Sequence, residues 1–262
     1  MPLGGSITYG VGSSDGNGYR KILQDMLISR DYPTEMVGSR NSGSMTNNAN
    51  EGWRGRRIDQ IQDKAIRSTT RLLPNVFTVN AGSNDCLQDF EIDSAGARLD
   101  ALLEDLWAIG LPDATVILST LLVAADDTTN ERVLRVNEQI RELVAKKGST
   151  KGKNIVLADM YSNAGGPQLG DLVDDGIHPN DGGYVKMARI WADSIDKAVG
   201  AEEVAKTVKA LVAAKDINLS MKGGGYMHWA GAAGIVDGIT VDLGLMNGTS
   251  YSAETSPYYL HL

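Results

Sequence analysis

The sequence contains a single cysteine, Cys86, among 262 residues. One thiol cannot close an intrachain disulfide, and it cannot build a cysteine-based zinc site. It leaves a cysteine nucleophile open, but a lone cysteine is more often a buried, inert side chain. Histidine is almost as scarce: His178, His228 and His261 are the only candidates for an imidazole base. No apolar run approaches the ~20 residues of a membrane-spanning helix. No basic start followed by an apolar stretch is visible, so the sequence reads as a mature form, a truncated form or an incomplete reading frame rather than a precursor. Basic residues are outnumbered, with 25 Lys and Arg against 33 Asp and Glu and a net charge of −8. A phosphate backbone calls for a basic face, so nucleic acid is not the expected partner.

What is present suffices for a full core. Hydrophobic residues make up 42% of the chain. The length fits one large α/β domain, or a domain of about 200 residues with an extension. Met1 to Leu3 reads as a short strand, and Glu35 to Ser39 as a second. Val76 to Asn80 is rich in β-branched and aromatic residues. Thr115 to Leu122 is nearly all apolar, as in a strand buried on both faces of a parallel sheet. Ile155 to Asp159 is the last such strand. Helical spacing falls between them, at Tyr19 to Arg30, from about Ile58, at Leu99 to Ala108 and at Glu131 to Lys146. Asn180 or Asp181 suits the cap of a further helix ending near Val199. Strands and helices in alternation mean a parallel sheet covered by helices, with functional groups beyond the carboxyl ends of the strands.

Past Ala201 the character changes. Glu202 to Lys215 has helical spacing. A glycine-rich run follows from Lys222 to Gly248, in which Ile239, Val241, Leu243 and Leu245 alternate like a half-buried strand. Two glycosylation sequons, at Asn218 and Asn247, are a frequent and weak pattern. The expected division is a domain over 1–200 and an extension over 201–262.

Four short blocks carry chemistry. Asp174-Asp175-Gly176-Ile177-His178-Pro179 places an acid three residues before a histidine. A carboxylate on one imidazole nitrogen fixes the tautomer and leaves the other as a base. Ser6 follows the first strand, where a nucleophile is presented, although an ordinary turn serine looks the same. Gly55 follows Trp53 and offers a backbone N–H, or is a plain turn glycine. Asn84, in Gly82-Ser83-Asn84-Asp85, offers a side-chain amide or a turn that caps itself. Gly10-x-Gly12 hints at a phosphate loop, but no Walker lysine follows and the dinucleotide spacing is absent.

The order of these blocks resembles the SGNH, or GDSL, hydrolase family. Leu3-Gly4-Gly5-Ser6-Ile7-Thr8-Tyr9-Gly10, Glu51-Gly52-Trp53-x-Gly55, Ala81-Gly82-Ser83-Asn84-Asp85 and Asp175-Gly176-Ile177-His178-Pro179 are similar to its secreted fungal and bacterial branch, related to acetyl xylan esterases. The resemblance covers about residues 1–199. It implies a three-layer α/β/α sandwich with a five-stranded parallel sheet, flavodoxin-like in outline. It also implies Ser6 as nucleophile, His178 as base, Asp175 as its partner, and an oxyanion hole from the N–H groups of Ser6 and Gly55 with the Asn84 amide. No metal and no organic cofactor is implied. The implied substrate is a small-molecule or polysaccharide ester, with a broader lipase, lysophospholipase or thioesterase as the alternative. Extracellular location follows from the same resemblance. A monomer is the expectation, although no residue fixes the oligomeric state.

Two features depart from the family pattern. Gly5 stands where the family normally has an aspartate that supports the nucleophile turn, and this makes an impaired, non-catalytic relative a further reading. Three residues before Gly4 span only about 10 Å of strand, whereas the family's first strand is longer and central. Trp53, beside Gly55, suits either a sugar site or packing.

Overall fold

The strand preceding Ser6 is short, Pro2–Gly4 (β1), and it is central. It pairs in parallel with Ala49–Gly52 (β3) on one side, Leu3 opposite Glu51. On the other it pairs in parallel with Val76–Asn80 (β4), Leu3 opposite Val79. Leu3 and Gly4 are therefore paired on both edges, and Pro2 on the β4 side. Thr115–Ser119 (β5) and Asn154–Ala158 (β6) extend the sheet in parallel beyond β4. Arg40–Asn41 (β2) adds a two-residue antiparallel edge to β3. The full order is β2-β3-β1-β4-β5-β6. Five strands are parallel, as expected, and the sixth is an addition.

The structure, a computed structural model, describes residues 1–150, 153–161, 165–215, 218–222, 238–242 and 259–261, with side chains described to residue 200. Helices Ser6–Tyr9 (α1), Arg20–Ser29 (α2), Ile58–Leu72 (α3), Ser83–Gln88 (α4), Ala95–Ile109 (α5) and Asp127–Gly148 (α6) connect the strands. The apolar stripes predicted from sequence are the buried ones. Leu99, Leu102, Leu103 and Leu106 of α5 and Val133, Val136 and Ile140 of α6 join Phe77, Val79, Val116 and Leu118 in one core. β5 stops at Ser119, short of the expected Leu122.

The predicted strand at Glu35–Ser39 is not one; the sheet strand lies at β3 instead. The segment from Met36 runs beside the chain at 47–51, but side chains intercept its backbone. The Met36 N–H donates to Asn47 Oδ1, and the Asn47 amide returns a bond of 3.0 Å to the Met36 carbonyl. The Ser39 N–H donates to Glu51 Oε2 at 2.8 Å. A backbone satisfied by side chains has no need of a ladder.

Two compact units divide the chain at Met1–Ala198 and Val199–Leu262. One helix, Asp181–Lys215 (α7), is found where the sequence suggests two. A glycine such as Gly200 costs a helix about 1 kcal/mol but does not end it. In the second unit Asn218–Lys222 (β7), Gly238–Asp242 (β8) and Tyr259–His261 (β9) form a three-stranded parallel sheet in that order. Ile239 and Val241 lie in β8; Leu243, Leu245, Asn247 and His228 fall outside the described residues. Among the described residues no helix is long and apolar enough to cross a membrane.

Candidate active site

Every predicted site residue follows the carboxyl end of a strand in this sheet. Ser6 follows β1, Gly55 follows β3, Asn84 follows β4, and the Asp175 to His178 turn comes after β6. β1 has sequence-distant neighbours on both sides, which makes its end a switch point in an open sheet. That β3 is a strand explains why Gly55 arrives at this edge.

The Asp175 turn builds itself. Asp175 Oδ1 accepts the N–H groups of Ile177 and His178, both at 2.9 Å. Its Oδ2 lies 2.6 Å from His178 Nδ1. Burial pushes this carboxyl up, but the bonds from His178 and Ile177 outweigh it and hold the group below its ordinary range. Asp175 is thus ionised near neutral pH and fixes the proton of His178 on Nδ1. Nε2 is left free to accept, and it lies 2.7 Å from Ser6 Oγ. The relay forms with Gly5 and the three-residue β1 in place.

Loop contacts that the sequence did not reveal close the gap between the two halves. Gly12 has φ +94°, and a Cβ there would stand 2.5 Å from the Pro179 carbonyl oxygen and 3.0 Å from His178 Cβ. The loop after α1 can therefore lie directly on the histidine turn, and only glycine allows it. Its Ser14 N–H donates to Asp181 at 2.9 Å. The Tyr184 hydroxyl donates to the Val11 carbonyl at 2.5 Å and lies 3.2 Å from the Ile7 carbonyl. Asn180, not Asp181, caps α7, accepting the Gly183 N–H at 3.0 Å. The Gly10-x-Gly12 pattern is the sole sequence signal of this contact, and although its spacing argues against a phosphate loop it does not announce close packing.

On the other flank Asn84 and Ser6 line one solvent-open hollow of about 210 Å³, with Gly5, Arg56, Asn80 and Gly82. Asn84 makes no side-chain hydrogen bond among the described residues, so its amide is free to donate. A Cβ on Gly5 would stand 3.1 Å from Asn84 Nδ2. The Ser6 N–H belongs to the first turn of α1, where helix geometry provides no internal acceptor. Gly55 has φ +72° and does not itself line the hollow, whereas its neighbour Arg56 does. A second hollow of about 250 Å³ is mainly apolar, with Ile7, Leu122, Val123, Val133 and Ile177 in its wall.

Asp85 ties this flank together. It is fully buried, receives Arg98, and accepts the Ile58 N–H at 3.1 Å. Burial pushes its carboxyl up, and Arg98 and Ile58 counteract part of that. The turn carrying Asn84 and the start of α3 behind Arg56 are thereby fastened to one carboxylate. Trp53 is a packing residue. Its ring lies 4.5 Å from the Arg40 guanidinium and 5.0 Å from the Lys64 ammonium, and its Nε1–H donates to Glu51 at 2.8 Å. Cys86 is fully buried, and burial pushes its thiol up to about 12, which removes it as a nucleophile. Among the described residues no cluster of His, Cys, Asp and Glu could hold a metal ion.

Comparison with known proteins gives consistent relatives. A multidomain esterase of Ruminococcus flavefaciens is 29% identical over 224 residues, covering 75% of this chain. The match spans only 28% of that protein's length. A family 3 carbohydrate esterase of Clostridium thermocellum superposes with a TM-score of 0.67 at 25% identity, covering 77% of this chain and 96% of that one. A family 3 carbohydrate esterase of Talaromyces cellulolyticus shares the fold, with a TM-score of 0.66 at 22% identity over 77% of this chain and 97% of its own. The profile of the GDSL-like lipase/acylhydrolase family matches residues 3–186, and the chain belongs to that family of ester hydrolases.

Proposed function

We propose that the protein is a serine esterase that removes short acyl groups, acetyl above all, from carbohydrate through an acyl-enzyme. The observation that carries this reading is the relay Asp175 Oδ2, His178 Nδ1, His178 Nε2, Ser6 Oγ, with gaps of 2.6 and 2.7 Å. His178 takes the Ser6 proton as Oγ attacks the acyl carbonyl. Asp175 stabilises the imidazolium that forms. The Ser6 N–H and the Asn84 amide receive the developing oxyanion, each for about 3 kcal/mol, and the Gly55 N–H is the third donor that the family pattern implies. His178 then gives its proton to the departing alcohol oxygen. Water, activated by the same histidine, releases the acid and restores Ser6.

The small size of the hollow that Ser6 and Asn84 line supports a short acyl group. The name of the Clostridium thermocellum relative supports carbohydrate as the alcohol, and an extracellular setting is part of the same reading. The domain that does this work is residues 1–200, and a monomer suffices for it. Acetate release from p-nitrophenyl acetate and from acetylated xylan, by the wild type and Ser6→Ala, is the test. The wild type should be active and the variant reduced to background. Activity that survives Ser6→Ala rejects the nucleophile, and a preference for octanoyl or longer esters rejects the acyl group.

A further inference from the structure

The turn after β3 reads Trp53-Arg54-Gly55-Arg56-Arg57, three guanidiniums in four positions on a chain of net charge −8. Arg57 is engaged: it meets Asp59 at 3.3 Å and Gln88 at 3.1 Å, and stacks 4.0 Å over the Phe90 ring. Arg54 and Arg56 are exposed, and neither makes an ion pair or side-chain hydrogen bond among the described residues. Many other cations of the first unit are paired with acids, including Lys21, Arg98, Arg135, Lys147 and Lys186. The nearby acids are not available to Arg56. Glu51 is buried and bonded to Ser39 and Trp53, and Asp59 is held by Arg57. Arg40 and Lys64 add two more cations, over the ring of Trp53 at the start of this turn.

The charge of an exposed cation with no partner contributes little to the fold. Arg56 is nevertheless part of the wall that also holds Ser6 and Asn84. A guanidinium presents a planar fork that matches a carboxylate. We infer that Arg56, supported by Arg54, recognises a carboxylate on the alcohol side of the scissile ester, so that the site favours acylated acidic saccharides, those carrying a uronic acid, over neutral ones. This inference rests on the esterase reading above and names its substrate class.

The test compares two substrates that differ only in charge, the acetylated methyl glycoside of glucuronic acid and the matching glucuronamide. At low ionic strength the wild type should favour the acid by about five- to tenfold in kcat/KM, mainly through KM, and about 0.5 M NaCl should bring the two toward parity. Arg56→Gln should reduce the acid-to-amide ratio to within about twofold, and Arg56→Lys should keep part of it, because charge survives while the fork is lost. A wild-type ratio of one or less overturns the inference, as does a ratio that Arg56→Gln leaves unmoved. An equal fall on both esters also overturns it, and assigns Arg56 to the oxyanion of every substrate. If neither ester is hydrolysed, the esterase reading has failed, and calorimetric binding of an acidic against a neutral xylo-oligosaccharide reads Arg56 by itself. Tighter binding of the acidic ligand, lost in Arg56→Gln, supports the inference; equal binding overturns it.

Discussion

Replacing Gly12 with alanine tests whether the loop after the nucleophile sets the position of the base. The new methyl would stand 2.5 Å from the Pro179 oxygen, whereas ordinary contact begins at 3.4 Å, so the surfaces must part by 0.9 Å. At φ +94° an alanine also bears about 1 kcal/mol of backbone strain. Absorbing the overlap adds about 1–3 kcal/mol, for a total of roughly 2–4 kcal/mol. The cheapest relief is to push the 178–179 turn outward, because the loop on the other side is held by Ser14 and Tyr184. A shift of that size takes His178 Nε2 out of reach of an Oγ now 2.7 Å away. Misplacement by about 1 Å costs on the order of a hundredfold in rate. Steady-state hydrolysis of p-nitrophenyl acetate and a thermal melt are the assays. The expected result is kcat down about a hundredfold with Tm lower by roughly 5–15 °C. Gly148→Ala is the control, since a Cβ there meets nothing within 4 Å and should leave both unchanged or raise Tm. A Gly12→Ala enzyme with kcat within threefold of wild type would refute the reasoning, because the clash would then be absorbed away from the histidine.

Asn84→Ala should lower kcat by about 10²–10³ with little change in KM or Tm, since the amide supports no bond in the fold and its role would be confined to the transition state. Asp85→Ala should destabilise by about 3–5 kcal/mol in urea unfolding, because it strands the Arg98 charge and the Ile58 N–H. Asp171 offers a pH test. Burial pushes its carboxyl up, but Lys186 and the Gln168 N–H outweigh that and hold it below its ordinary range. Its contribution is therefore fully present above the unfolded value near 4 and is lost as pH falls through the lower native value. Urea midpoints should decline as pH falls below about 4, and Lys186→Met should flatten that decline.

The chemistry was legible in the sequence because chemistry restricts residue type. Ser6, Asn84, Asp175 and His178 stand in short blocks whose side chains have few substitutes, and three of those blocks follow strands marked by β-branched or apolar runs. The strand behind Gly55 was not legible. Ala49-Asn50-Glu51-Gly52 has no residue that favours a pleated sheet. It is held instead by its ladder with β1 and by side-chain bonds, Glu51 to Ser39 and Trp53 and Asn50 to the Gly52 N–H at 2.9 Å. Glu35–Ser39 was misread for the complementary reason, since its pattern fits a strand while Asn47 and Glu51 take its backbone bonds. The role of Trp53 was undecidable from its neighbours in sequence, because Lys64 lies a helical turn and more away and Arg40 precedes the strand.

The doubt that Gly5 raises in the sequence moves elsewhere in the structure. A parallel sheet delivers strand ends to one edge, but only to within several ångströms, and the two halves of the relay are 172 residues apart. The remaining distance is set by contacts between their loops: Gly12 under His178, Ser14 on Asp181, and Tyr184 on the carbonyls of α1 and the loop after it. These contacts do not involve the side chain that Gly5 lacks. An aspartate at that position would face Asn84, on the oxyanion side, since the nearest atom to its Cβ is Asn84 Nδ2 at 3.1 Å. The consequence of glycine at position 5 thus falls on how firmly the Asn84 amide is aimed, and the Ser6 to His178 gap is governed by the loop at 10–18.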